Sequence, residues 1–194
     1  MLEAWGELDM STVAGDTGFA AELLVLLEEH AIRYEIIDGS LIVNPPPTFD
    51  HEDYLMELAV HLRLRSPEDL AVLGSGFRYF YDGRRGDASN HTMADITVVR
   101  RSDVEQKGTI DPPLLVVEVQ SPSTQRRDLT QKREIYERTG VQTYLLLHPE
   151  RRTLTVLELQ DGQYVEAHHG EPPAVIRLNR PFPVEIDLAR VFRS

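Results

Sequence analysis

The stretch Leu114 to Tyr136, LLVVEVQSPSTQRRDLTQKREIY, decides how the rest of the chain is read. Leu114 to Gln120 is an apolar strand with Glu118 and Gln120 near its end. Ser121-Pro122-Ser123-Thr124 breaks it, and a polar helix follows from Gln125 to Thr139. Thr124 suits the N-cap of that helix, and Gly140 stands where a C′ glycine belongs. A carboxylate in an otherwise buried strand is costly to desolvate unless something compensates it, so Glu118 is the first mark of a site.

Side chains alternate along a strand. Leu114, Val116, Glu118 and Gln120 face one way, and Leu115, Val117 and Val119 the other. In the upstream strand Asp95 to Val99, Asp95, Thr97 and Val99 share a face. If the two strands are neighbours, Asp95 and Glu118 converge. Two carboxylates brought together repel unless a cation lies between them or one stays protonated. Oxygen ligands in a chain without cysteine match Mg²⁺ or Mn²⁺ better than zinc.

On the helix, Asp128, Lys132 and Tyr136 are spaced i, i+4, i+8 and share a face. The long Lys132 side chain can swing back over Glu118. An ammonium there would stabilise charge developing on a phosphoryl group or orient an attacking water. A metal would lower the pKa of that water. The same residues have a plainer reading, in which Asp128 and Lys132 are an exposed helix pair, Asp95 caps a strand end and Glu118 pairs with an arginine. Spacing alone leaves both open.

Outward from this stretch, residues 1–16 form a loose arm and 17–194 a single domain. A helical pattern runs from Thr17 to His30. Tyr34 to Ile37 and Leu41 to Val43 flank the tight turn Asp38-Gly39 as a hairpin, and His51 to Arg65 form a second amphipathic helix. Val72-Leu73 and Phe77 to Tyr81 are strand candidates, followed by a polar loop holding His91. After the central helix come Val141 to Leu147, then Leu154 to Leu159 and Gln163 to Ala167 around Asp161-Gly162, with His168-His169 in a polar loop. The tail from Ala174 mixes strand-like runs with prolines. This order predicts an α/β or α+β domain with a mixed central sheet flanked by helices.

The net charge of -12 over 194 residues argues against a broad nucleic-acid-binding face, though not against a nuclease whose acidic cleft is neutralised by metal. Arg84-Arg85, Arg100-Arg101, Arg126-Arg127 and Arg151-Arg152 read as scattered solvated surface. No apolar run is long enough to span a membrane, and the absence of cysteine fits a reducing cytoplasm. No HExxH or other histidine-rich metal spacing occurs.

The run EVQSPSTQRRDLTQKREIYERTGVQTYLLLHPE resembles the signature of the Uma-type restriction endonucleases, a branch of the PD-(D/E)XK nuclease superfamily. YEIIDGSLIVNPPPTFDH resembles that family's N-terminal hairpin and following histidine, and MADITVV its Pro-Asp strand. The resemblance implies a restriction endonuclease-like fold and metal-dependent hydrolysis of DNA phosphodiesters, commonly by a homodimer. Asp95 and Glu118 become metal ligands, with the Val119 carbonyl completing the shell. Gln120 stands where the superfamily's lysine usually sits, and Lys132 is its replacement on the helix. Glu35 and His51 become accessory groups, as do Asp128 and Tyr136. Ala94 replaces the family's proline, and His148 the aspartate before Pro149. The acidic surface and missing strand lysine also suit a non-catalytic binding or regulatory module that retains the fold. Hydrolysis of RNA or of another phosphodiester by the same site is a third reading.

Overall fold

A computed structural model describes residues 7–9, 17–44, 46–120 and 128–193, without the side chains of 7–9, 17–20, 128 and 129. The break at Ser121 to Thr124, the Thr124 N-cap, the first helical residues after Gln125 and Arg126-Arg127 lie outside the described residues.

Strand β1 (Glu7–Asp9) precedes helix α1 (Thr17–Glu29) and the hairpin β2 (Tyr34–Ile37) and β3 (Ser40–Val43). Asp38 and Gly39 both take positive φ, 48° and 82°, as a two-residue turn matched to strand twist requires. β1 pairs with β3, so the arm contributes a strand to a three-stranded sheet. Helix α2 (Phe49–Arg63) starts at Thr48, whose hydroxyl accepts from the His51 N–H at 3.3 Å. Next come β4 (Leu70–Gly74), β5 (Arg78–Tyr79), β6 (Ile96–Arg100), a 3₁₀ turn at Arg101–Asp103, β7 (Gly108–Thr109) and β8 (Leu115–Val119). After the undescribed segment, Asp128–Lys132 is a π-turn that runs into helix α3 (Arg133–Thr139). Gly140 ends α3 at φ 89°. Strands β9 (Thr143–His148), β10 (Thr153–Gln160), β11 (Gln163–Gly170), β12 (Val175–Leu178) and β13 (Val184–Asp187) lead to α4 (Leu188–Val191).

The central sheet has six strands in the order β11-β10-β9-β8-β6-β4. Only β8 and β9 pair in parallel within it, so the chain must cross over between them, and α3 lies on that crossover. One face carries Leu115, Val117 and Val119 and packs against α2, β12, β13 and α4. The other carries Val116 and Tyr144 and packs against α3 and hairpin residues Ile37 and Ile42. α1 covers the far side of the hairpin through Leu24 and Leu27. The fold is thus a mixed α+β sandwich around a six-stranded sheet.

Several local expectations change. Within Phe77 to Tyr81 only Arg78 and Tyr79 pair as a strand, because β5 finds just the two-residue β7 beside it. His168 and His169 lie in β11, paired with Val156 and Thr155, rather than in a loop. His91 is fully buried, bridges to Ile36, and its ring contacts the Ser89 and Tyr34 carbonyls at 2.8 and 3.1 Å. It is a core group, and burial lowers its pKa. The central helix is part π-turn, so its i, i+4 hydrogen-bond ladder starts only near Arg133.

Candidate active site

β6 and β8 are antiparallel neighbours, with Ile96 beside Val117. Ile96, Val117 and Val119 all face the α2 side. Asp95 and Glu118, next along each strand, therefore turn to the opposite face at one end of the sheet. Both are buried.

Asp95 is held by three donors. Its Oδ2 accepts from the Val119 N–H at 2.8 Å and lies 3.3 Å from His51 Nε2, and its Oδ1 lies 3.5 Å from the Arg33 guanidinium. Burial alone would raise the Asp95 pKa. The His51 hydrogen bond and charge, the Val119 N–H and the Lys132 charge outweigh it and hold the carboxyl below its ordinary value. The Thr48 cap starts α2 in the register that brings His51 to this point.

Glu118 Oε1 accepts from Lys132 Nζ at 2.9 Å and from the Tyr136 hydroxyl at 3.0 Å. Lys132 Nζ also lies 2.9 Å from Glu35 Oε1. One ammonium, 4% exposed, thus bridges a carboxylate at 3% and one at 0%. Glu35 further accepts from the Met93 N–H at 2.7 Å and from the Asn44 amide at 3.2 Å. Its charged partner among the described residues is thus Lys132, which follows β8 in the chain. Burial beside Glu118 pushes the Tyr136 hydroxyl pKa well up, so the phenol keeps its proton and donates. The π-turn Asp128–Lys132 leads directly into α3, and Lys132 at its end and Tyr136 one turn on both reach one carboxylate oxygen. Such insertions are frequent where a helix serves a site.

Asp95, Glu118, Lys132, Tyr136, Glu35 and His51 therefore form one continuous set. Val119 contributes its N–H to Asp95. Gln120 is buried, its N–H donates to the Leu147 carbonyl at 2.7 Å, and its side chain lines a neighbouring cavity over β9 to β11. The Asp128 side chain lies outside the described residues. Arg33 and Asn44 escaped sequence reasoning. Each sits just outside a hairpin strand, and nothing in its local pattern separates it from solvated polar surface.

Among the described residues no three His, Asp or Glu side chains gather as a metal cage. The carboxylate oxygens of Asp95 and Glu118 are hard donors of the kind that could hold Mg²⁺ or Mn²⁺.

No curated protein matches the chain. A solved structure described as that of a putative nuclease belonging to DUF820 from Anabaena variabilis is similar at TM-score 0.64 and 18% identity, covering 84% of this chain and 90% of the other. That likeness speaks for the fold. The family model described as Uma2, putative restriction endonuclease, matches residues 20–190. The chain belongs to the Uma2 family of putative restriction endonucleases.

Proposed function

We propose that the protein is a cytoplasmic, divalent-metal-dependent endodeoxyribonuclease that hydrolyses DNA phosphodiester bonds at the Asp95–Glu118–Lys132 site and works as a homodimer. The observation that carries the reading is the placement of Lys132 on Glu118 near the end of β8, close enough to Asp95 for its charge to act on that carboxylate.

Asp95, Glu118 and the Val119 carbonyl would hold Mg²⁺ or Mn²⁺. Bound there, the ion supplies a water of lowered pKa and charge neutralisation at the phosphate. Lys132 offers the one buried ammonium of the set and would orient the water or balance charge on the phosphoryl oxygens. Tyr136 keeps the Glu118 carboxylate in place. His51 and Arg33 do the same for Asp95, and Glu35 anchors Lys132 from the other side. Gln120 borders the site without charge and would contact substrate by hydrogen bonding.

The test is cleavage of supercoiled plasmid and of single-stranded DNA in Mg²⁺ or Mn²⁺ by wild type and by Glu118→Ala. The reading expects nicking by wild type that chelator and the substitution both abolish. Equal background in the two proteins would defeat it.

A second reading, a binding or regulatory module on the nuclease fold, is favoured by one observation: the described carboxylates already have protein donors, Lys132 and Tyr136 on Glu118, and Val119, His51 and Arg33 on Asp95. It predicts no divalent-ion binding lost on Asp95→Ala.

A further inference from the structure

The register of the sheet extends the candidate site sideways. Glu118 lies beside Leu146, Leu146 beside Thr155, and Thr155 beside His169, one residue from each of β8, β9, β10 and β11. Side chains directly opposite one another share a face, so this row leads from the candidate site to the sheet edge. Three inter-strand steps make it about 14 Å long. The next row places His148 beside Thr153. Gln120, one residue past the Val119–Leu147 pair, borders it. A cavity of about 410 Å³ lies over these rows, walled by Arg133 of α3 and by Arg151 from the β9–β10 turn.

The charge of this cavity opposes that of the molecule. The chain carries -12 overall, yet the ionisable lining is Arg133, Arg151, His148 and His169 against Glu166 alone. Arg133 donates to the Tyr164 carbonyl at 3.2 Å and lies 3.8 Å from Glu137, which leaves Arg151 as the cation of the lining without an ion-pair partner among the described residues. His169 Nδ1 is engaged by Thr155 at 2.9 Å, and His148 Nδ1 accepts from the Arg151 N–H at 3.3 Å. Each imidazole is thereby held through Nδ1, and both residues line the groove. Arg151 is exposed and forms no ion pair among the described residues. The adjacent Arg152 has a different role, donating to the Phe192 carbonyl at the C-terminal helix. What reads in sequence as one pair on the surface divides into a structural arginine and a groove arginine.

We propose that this groove is a subsite for the sugar–phosphate backbone of the DNA strand next to the scissile phosphate, with Arg151 as its principal phosphate contact. The proposal rests on the nuclease reading for its orientation, because the groove begins where Glu118 and Gln120 end. A row this long exceeds the reach of a single small anion, and cationic and hydroxyl groups around a floor of Leu146, Leu157 and Tyr164 suit the sugars and phosphates of a strand without base readout. Thr153 and Thr155 add neutral donors between the charged ends.

The experiment measures binding of a fluorescently labelled single-stranded oligonucleotide across a salt series, with Ca²⁺ in place of Mg²⁺. It compares wild type, Arg151→Glu and Arg177→Glu, the last on β12 and equal in charge change. Arg151→Glu is expected to weaken binding about tenfold at low salt and to reduce the salt slope by about one, while Arg177→Glu binds as wild type. Matching melting temperatures exclude misfolding. Unchanged binding by Arg151→Glu, equal weakening by Arg177→Glu, or no oligonucleotide binding by wild type would each overturn the subsite. Cleavage of the same oligonucleotide by wild type in Mg²⁺ is scored separately. Arg151-dependent binding without cleavage supports the groove and counts against the nuclease reading. Cleavage with Arg151-independent binding does the reverse.

Discussion

Two clusters of acids and bases lie on either side of the hairpin, and they differ in balance. At the outer cluster, Arg78 reaches Glu28 and lies 3.1 Å from Asp87, and Lys107 lies 3.3 and 3.2 Å from the same two acids. Two cations meet two anions, and the Glu28 and Lys107 side chains remain 30% and 57% exposed. At the inner cluster, Asp95, Glu118 and Glu35 meet Lys132 and Arg33, with His51 as a group that counts only when protonated. Among the described residues, three anions meet two permanent cations, and both Lys132 partners are almost fully buried. A balanced, half-wet cluster is complete as a tether between α1, β5 and the loops before β6 and β7. A buried acid excess is expensive, and persists where a cation from outside is part of the design.

The contrast is sharpest in the two lysines. Lys132→Met would leave two buried carboxylates without their shared counter-ion and is expected to cost about 3–5 kcal/mol of unfolding free energy. Lys107→Met at the exposed cluster is expected to cost less than about 1 kcal/mol. Urea unfolding of both variants measures the difference, and equal costs would erase the distinction between the clusters.

Arg78→Ala should fall between them. The guanidinium is 8% exposed, joins Glu28 to Asp87 and stacks over the Tyr34 ring at 4.9 Å, so about 1–3 kcal/mol is at stake in the same assay. Tyr136→Phe removes one donor from Glu118 while Lys132 remains, for a loss of about 1 kcal/mol and weaker divalent-ion affinity in calorimetry.

Much of this was legible before any coordinates. Strand alternation put Glu118 and Asp95 on one face, the Asp38-Gly39 and Asp161-Gly162 turns announced their hairpins, and i, i+4 spacing paired Lys132 with Tyr136. Those signals are local, and tertiary packing had no reason to override them. The remainder depends on what lies across space. A π-turn is a shift of hydrogen-bond register with no composition of its own. Phe77 to Tyr81 carries strand-forming residues, but a strand lasts only as long as its neighbour. Arg33 and Asn44 owe their role to the fold around Asp95 and Glu35. His168-His169 looked polar enough for a loop because an edge strand has one solvated face.

The smallest expected effect concerns pH. Burial would raise the Glu28 pKa, but hydrogen bonds from Arg78 and Tyr34, the Arg78 charge and the Lys107 contact lower it from 4.5 to about 2. A depressed carboxyl binds fewer protons folded than unfolded, so its contribution is complete above about pH 4.5 and fades as pH falls toward 2. Glu28→Gln should flatten the acid limb of the stability–pH curve in that window and lower the neutral plateau, as thermal melts across the range would record.

The enzyme reading requires a divalent-ion site at Asp95 and Glu118, and a Mn²⁺ titration followed by calorimetry and by the electron paramagnetic resonance of free Mn²⁺ reaches it directly. Wild type is predicted to take up the ion at a site that Asp95→Asn removes, while Asp87→Asn at the balanced cluster binds as wild type. Absence of Mn²⁺ uptake by wild type, or uptake indifferent to Asp95, would contradict the account.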